Sequence, residues 1–193
     1  MNLQINEELI PGTVLVRKNM GNVTGLDFLS KIFYITDGVM LSQIREISGI
    51  DGSTLQNWTK RGWVANSKLK RYNIDQVAHI LIINMLRSCI QLDHIAFLIK
   101  YINGNVNDDS DDIIRPSRLY DYICRILDKI IIENGECSEE TLKECIVDET
   151  KDYEEKVSGA AKRLQNALEI IIIAYYASIL KKNTDERLAT IMK

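Results

Sequence analysis

The chain has 193 residues, 46% of them apolar and 26% charged, with a net charge of −3. That balance is ordinary for a globular protein and excludes a disordered or low-complexity chain. Two Pro and ten Gly are too few for the tight turns of a sandwich or barrel. No Val/Ile runs alternate with helices as a parallel sheet requires, so the expected fold class is all-α.

The first twenty or so residues carry a Pro11-Gly12 turn signal and a short extended piece, Thr13-Val14-Leu15-Val16. From Thr24, Leu26, Leu29, Ile32 and Phe33 recur at helical spacing, and Asp37-Gly38 ends that segment. Ser42 is expected to cap a short helix, Gln43 to Ser48, stopped by Gly49. Asp51 is expected to cap a second, running to about Arg61 with Leu55 and Trp58 inward and Gly62 as its end. Trp63 to Tyr72 is too short and too polar for a helix and suits a small two-stranded turn. Asn73 and Gln76 make a capping box for a helix from Ile74 to about Cys89. A further helix runs from about Leu92 to Tyr101.

Asn103 to Asp112 is acidic and loop-like, the best linker in the chain. Helices resume at Pro116, with Leu119, Tyr122, Ile123, Ile126, Leu127 and Ile130 in one stripe. A short acidic helix, Ser138 to about Val147, follows. A long one, about Asp152 to Lys181, holds Val157, Ala161, Leu164, Leu168, Ile171, Ile172, Tyr175 and Ile179 on one broad face. Residues 183–193 are a polar tail.

The four cysteines, Cys89, Cys124, Cys137 and Cys145, form no CxxC pair and read as reduced thiols, with no metal and no cofactor expected. The two histidines, His79 and His94, lack partners at metal-ligand spacing and read as structural. Met1 to Glu8 has neither a basic nor an apolar leader region, so no signal peptide is expected. The longest apolar stretch, Ile170 to Leu180, is too short to span a bilayer. A cytoplasmic protein without a membrane partner is the expectation. The P-loop, the dinucleotide fingerprint, the nucleophile elbow and the zinc-protease motif are all missing, and no enzyme activity is expected.

Charge is unevenly spread: residues 1–100 are net positive and residues 101–193 net negative. Residues 53–73 hold Lys60, Arg61, Lys68, Lys70 and Arg71 and no acid. A phosphate backbone senses such a near field more than the total.

The segment Ser42 to Tyr101 reads helix, tight turn, helix, hairpin, helix, helix, and it resembles the winged helix-turn-helix domain of MerR-type regulators. Ile44-Arg45-Glu46-Ile47-Ser48-Gly49-Ile50 is similar to that domain's first helix and turn. Ser53-Thr54-Leu55-Gln56-Asn57-Trp58 stands at the recognition helix, with Gln56-Asn57 where that family has an Arg-Tyr pair. Lys60-Arg61-Gly62-Trp63-Val64 matches the exit into the wing, Lys70-Arg71-Tyr72-Asn73 its close, and Ile90-Gln91-Leu92-Asp93-His94-Ile95 the final turn. The whole chain also resembles an uncharacterised Gram-positive family known only as a domain of unknown function. Thr24-Gly25-Leu26-Asp27, Ile82-Ile83-Asn84-Met85-Leu86-Arg87, Tyr101-Ile102-Asn103-Gly104 and Asp109-Ser110-Asp111-Asp112 carry that likeness.

The MerR resemblance implies sequence-specific binding of double-stranded DNA by a transcriptional regulator. Gln and Asn can pair bidentately with adenine, and Ser53, Gln56, Asn57 and Lys60 share one helical face. Thr54 is a further short polar side chain of the recognition helix, and Arg61 belongs to the basic window; both are counted among the DNA-binding residues. Lys68, Lys70 and Arg71 would reach phosphates. Tyr72 has two readings, a hydroxyl on phosphate or a ring on the core. The rival function is a protein-interaction module that keeps the helix-turn-helix shape. The expected organisation is an N-terminal extension with one helix (1–40), the winged helix-turn-helix (41–102), the acidic linker (103–115) and a C-terminal helical dimerisation or effector domain (116–193). A homodimer through the C-terminal helices is expected, because the stripe from Val157 to Ile179 exceeds what the Leu119 to Ile130 helix can cover.

Overall fold

A computed structural model describes residues 8–104, 111–130 and 138–192. The initial Met1 to Glu7, most of the acidic linker (105–110) and Cys137 lie outside the described residues. A 3-10 turn, Arg17–Met20, precedes α1 (Gly25–Phe33), β1 (Val39–Met40), α2 (Leu41–Ser48) and α3 (Gly52–Lys60). Then come β2 (Arg71–Tyr72), α4 (Ile74–Leu86), α5 (Leu92–Asn103), α6 (Pro116–Leu127), α7 (Glu139–Glu149) and α8 (Ala160–Ile191). The fold is all-α with a small two-stranded antiparallel sheet.

The central helix is α4. Both halves of its capping box form, Gln76 N to Asn73 Oδ1 at 2.8 Å and Asn73 N to Gln76 Oε1 at 3.0 Å. Its residues Val77, Ala78, Ile80, Leu81, Ile82, Ile83, Met85 and Leu86 are all buried. A helix apolar on every side must be wrapped on every side. Helices α1 and α6 pack together and both against α4, while α8 lies against α4, α5, α6 and α7. Helices α2 and α3 and the C-terminal helices thus share one hydrophobic core.

The expected stripe on α6 is buried in full, Leu119, Tyr122, Ile123, Ile126, Leu127 and the following Ile130. Pro116 opens α6, and its neighbour Ser117 donates its N–H to Asp75 Oδ1 at 3.0 Å. Over α6 and α7 runs a set of ion pairs centred on buried Glu149, which is held by Arg125 (2.6 Å) and Lys129.

Four local expectations are corrected. Helix α2 begins at Leu41, so Ser42 lies within its first turn and does not cap it; Gln43 Oε1 instead accepts the Met40 N–H at 2.8 Å. Helix α4 stops at Leu86, short of Cys89. Strand β2 pairs with β1, Val39 facing Tyr72 and Met40 facing Arg71, so the wing's main partner lies upstream of α2. The last helix starts after Gly159 (φ +83°) and runs on through the polar tail to Ile191, leaving Val157 exposed in the preceding loop. Its stripe, Leu164, Leu168, Ile171, Ile172, Tyr175 and Ile179, is covered by this chain's own helices. The apolar excess used to argue for a dimer is therefore not left over: α4, α5 and α7 supply the cover that α6 alone could not.

Candidate nucleic-acid interface

Helices α2 and α3 are joined by a turn whose geometry follows from three residues. Gly49 takes φ +68°, the left-handed region that favours glycine, and an added Cβ there would press on Val14 Cγ1. Ser48 Oγ donates to Ile44 O (2.6 Å) and accepts from Ile50 N (3.2 Å), so the buried hydroxyl is satisfied twice. Asn84, on α4, donates its amide to both Gly12 O (2.8 Å) and Ser48 O (2.9 Å), tying the N-terminal loop to the end of α2.

Asp51 caps α3. Its carboxylate accepts from Thr54 N (2.8 Å), Thr54 Oγ1 (2.7 Å) and Ser53 Oγ (2.5 Å). These hydroxyl and amide donors, the Ser53 hydroxyl first among them, hold the Asp51 carboxyl well below the usual carboxylate range. The inward side of α3 is Leu55 and Trp58, both buried, with the Arg87 guanidinium 5.8 Å from the Trp58 ring centre.

The expected site residues divide into two groups. Gln56, Asn57 and Lys60 stand on the exposed side of α3, and Lys68 and Lys70 on the exposed wing turn. No hydrogen bond or ion pair within the described residues occupies their side chains. The other group is engaged inside the protein. Ser53 and Thr54 give their hydroxyls to Asp51. Arg61 lies over the Trp63 ring at 5.1 Å. Arg71 donates from Nη1 to Gly38 O at 2.8 Å, a bond that fastens β2 to the segment before β1. Tyr72 is buried at 8% exposure, so the structure favours the core reading of its ring over the phosphate one.

The wing turn adds a residue that sequence reasoning passed over. Lys68 and Arg71 exchange backbone hydrogen bonds (3.0 and 2.9 Å) around Leu69 and Lys70, with φ +50° and +62°. Two successive positive-φ residues define the hairpin turn that Asn-Gly usually supplies. Leu69 is 96% exposed between two lysines. The sequence signal was an apolar residue flanked by cations, at the tip of a polar segment.

Elsewhere, His79 is buried and His94 exposed. Among the described residues Cys89, Cys124 and Cys145 form no disulfide, and burial pushes the Cys124 thiol up to about 12. Among the described residues no group of three His, Cys, Asp or Glu side chains could hold a metal ion. No described helix is long and apolar enough to cross a membrane.

Residues 26–123 match the family described as Domain of unknown function (DUF1836). The Uncharacterized protein YkrK of Bacillus subtilis (strain 168) is 31% identical over 96 residues, which cover 48% of this chain and 41% of that protein. The chain thus aligns with about two fifths of this relative's length. No solved structure matches. The family match spans half of the chain, and the chain belongs to the DUF1836 family.

Proposed function

We infer that this DUF1836 family member is a sequence-specific DNA-binding transcriptional regulator, acting through a MerR-like winged helix-turn-helix. The observation that carries the reading is α3. Its Leu55 and Trp58 are sealed in the core, while Gln56, Asn57 and Lys60 face outward with no side-chain partner among the described residues. An exposed amide pair with no internal partner suits base edges, because amides both donate and accept. Lys68 and Lys70 on the wing supply phosphate contacts, which position without specifying. Arg71 and Tyr72 serve the wing's own structure. On this reading the protein works in the cytoplasm, has no catalytic activity and needs no cofactor.

A two-fold DNA site mirrors a two-fold protein, so a homodimer belongs to the proposal. The surface for it is the distal part of α8, where Leu188, Ile191 and Met192 are exposed beyond the packed stripe. Sedimentation as a monomer at micromolar concentration would remove the dimer from the reading.

A second reading, a protein-interaction module, is favoured by Phe97. Its ring is exposed on α5, in a shallow cavity shared with Trp63 and Lys100.

The test is genome-wide binding-site mapping followed by titration of the recovered sequence. Gln56→Ala or Asn57→Ala should cost about 1–3 kcal/mol on the preferred site and flatten the preference between sites. Lys68→Ala or Lys70→Ala should weaken all DNA alike and lower the salt slope by about 1 for each phosphate no longer neutralised. Absence of affinity for any DNA at low salt would defeat the DNA reading in favour of the interaction module.

A further inference from the structure

A cavity of about 640 Å³ opens between the base of the wing, the start of α4, the end of α5 and the start of α6. Its volume is that of a small-molecule site. Two polar side chains that line it are more than nine-tenths buried and have an atom without a hydrogen-bond partner: His79 Nε2 and Asn103 Oδ1. Buried polar atoms are normally satisfied, and each exception calls for a cause. Only three such side-chain atoms occur among the described residues, and two of them share this cavity.

Two helix faces bring these atoms to the same cavity. His79 is one turn after Asp75 on α4, so both point the same way. Asn103 is the last residue of α5, one turn after Ile99, which also lines the cavity. Burial pulls the His79 imidazole down to about 4, so it is neutral at pH 7 and offers a ring nitrogen as donor or acceptor. The charged groups around the opening are Lys68, Arg115 and Lys156 against Asp75 and Asp112. Asp75 is engaged by the Ser117 N–H, and Lys156 Nζ reaches Asp112 O at 3.0 Å. Arg115, exposed at the N-cap of α6, and Lys68, exposed on the wing turn, are the two cations at the opening whose side chains no hydrogen bond or ion pair among the described residues engages.

We propose that this cavity binds a small hydroxylated organic anion, its charge at Arg115 and its hydroxyl groups on His79 Nε2 and Asn103 Oδ1. The chemistry is met by a sugar phosphate or by a hydroxylated polycarboxylate. Gln76 forms part of the wall and donates to Asn66 O (2.9 Å), so an occupant touches the helix that holds the wing's base. It also touches α6 through Arg115. Resting on the DNA-binding reading, occupancy then fixes the wing against the C-terminal helices and changes DNA affinity.

Isothermal titration of the full chain with glucose 6-phosphate and, separately, citrate tests the site, with glucose as the neutral comparison. One of the two anions should bind saturably, and which one does identifies the source of the charge. Arg115→Gln, on an exposed side chain, and Asn103→Leu should each weaken it about tenfold, the loss of one charge-assisted or buried hydrogen bond. Retained thermal unfolding cooperativity checks that both variants are folded. The proposal is overturned if neither anion binds the wild-type chain and the cavity holds water alone. Equal binding to Arg115→Gln, or glucose binding as tightly as either anion, also overturns it. DNA titrations with and without the bound anion form a separate arm. If the anion binds and no DNA does, the DNA reading fails and the site stands.

Discussion

Asp121 and Gly25 are fitted to one another across the α1–α6 contact. Asp121 Oδ1 accepts the Leu26 N–H at 2.9 Å, and the same oxygen occupies the place where a Cβ on residue 25 would go. Gly25 has φ +56°. The side chain of one helix thus satisfies an orphan donor at the start of another, 95 residues away. Thr24 adds a second tie, from its hydroxyl to Asp128 Oδ2 at 2.8 Å, and Asp128 also pairs with Arg17.

Gly25→Ala is therefore expected to destabilise the protein by roughly 1–3 kcal/mol, through backbone strain and displacement of the carboxylate. Asp121→Asn, which keeps an acceptor oxygen, should lose less. Urea unfolding of the two variants measures both. Equal stability of Gly25→Ala and wild type would show that the close approach is not maintained in solution.

Asn84 offers a similar test at the turn between α2 and α3. Its amide serves two backbone carbonyls, Gly12 and Ser48, from different segments. Asn84→Ala should cost about 1–3 kcal/mol, since both carbonyls lose their donor. Hydrogen exchange should accelerate first at Ser48 to Ile50, where α2 turns into α3. Uniform acceleration across the chain would contradict this local account.

The wing turn is strained in the opposite sense. Leu69 and Lys70 hold positive φ with side chains that disfavour it. The double variant Leu69→Asn, Lys70→Gly installs the pair that the turn type prefers. It should raise stability by about 1–2 kcal/mol. Under the DNA-binding proposal the same variant weakens binding, because a phosphate-facing lysine is gone. A higher melting temperature together with unchanged affinity for DNA would leave the wing without a role in binding.

How much of this was legible in the sequence depends on whether the signal was local. Helix starts are written within four residues, so the Asp51 cap, the Asn73 and Gln76 capping box and the Pro116 start were placed correctly, while the Ser42 cap was one turn position off because Leu41 already belongs to α2. The periodic stripe of α6 was legible for the same reason, and that of α8 from Leu164 onward, Val157 lying in the loop before the helix. Pairing between distant segments was not. Nothing near Arg71 says that its strand partner is Met40, or that its guanidinium will be used by Gly38. The cover on the α8 stripe is a sum over three further helices, which periodicity in one helix cannot reveal. At the candidate interface, helical spacing put Gln56, Asn57 and Lys60 on one exposed side. Spacing alone could not show that Ser53 and Thr54 spend their hydroxyls on Asp51. The pairing of His79 with Asn103 in one cavity joins two helix faces 24 residues apart; in isolation His79 looked structural and Asn103 looked like the start of the linker, whereas it is the last residue of α5.

His79 gives a prediction with a defined pH window. Its ring is buried, and burial lowers its value from 6.5 to about 4. In the unfolded chain it titrates near the ordinary value, so between those limits the unfolded state binds more protons than the folded one. Stability then rises with pH across the window: it is complete above about 6.5 and is lost progressively as pH falls toward 4. The steepest slope from this one group is about 1.4 kcal/mol per pH unit, and the full loss is on the order of 3 kcal/mol. The carboxylates with depressed values act lower. Asp148, held by Lys129 and Lys151 at about 2, keeps its contribution above the ordinary 3.8 and loses it only as pH falls through about 2. The two windows are therefore separable. Urea unfolding of the wild-type chain from pH 7.5 to 4.5 should show the slope. His79→Gln, which keeps a polar side chain and cannot titrate, should be flat over the same range. An identical slope in both proteins would place the titrating group elsewhere and show that the His79 ring reaches solvent.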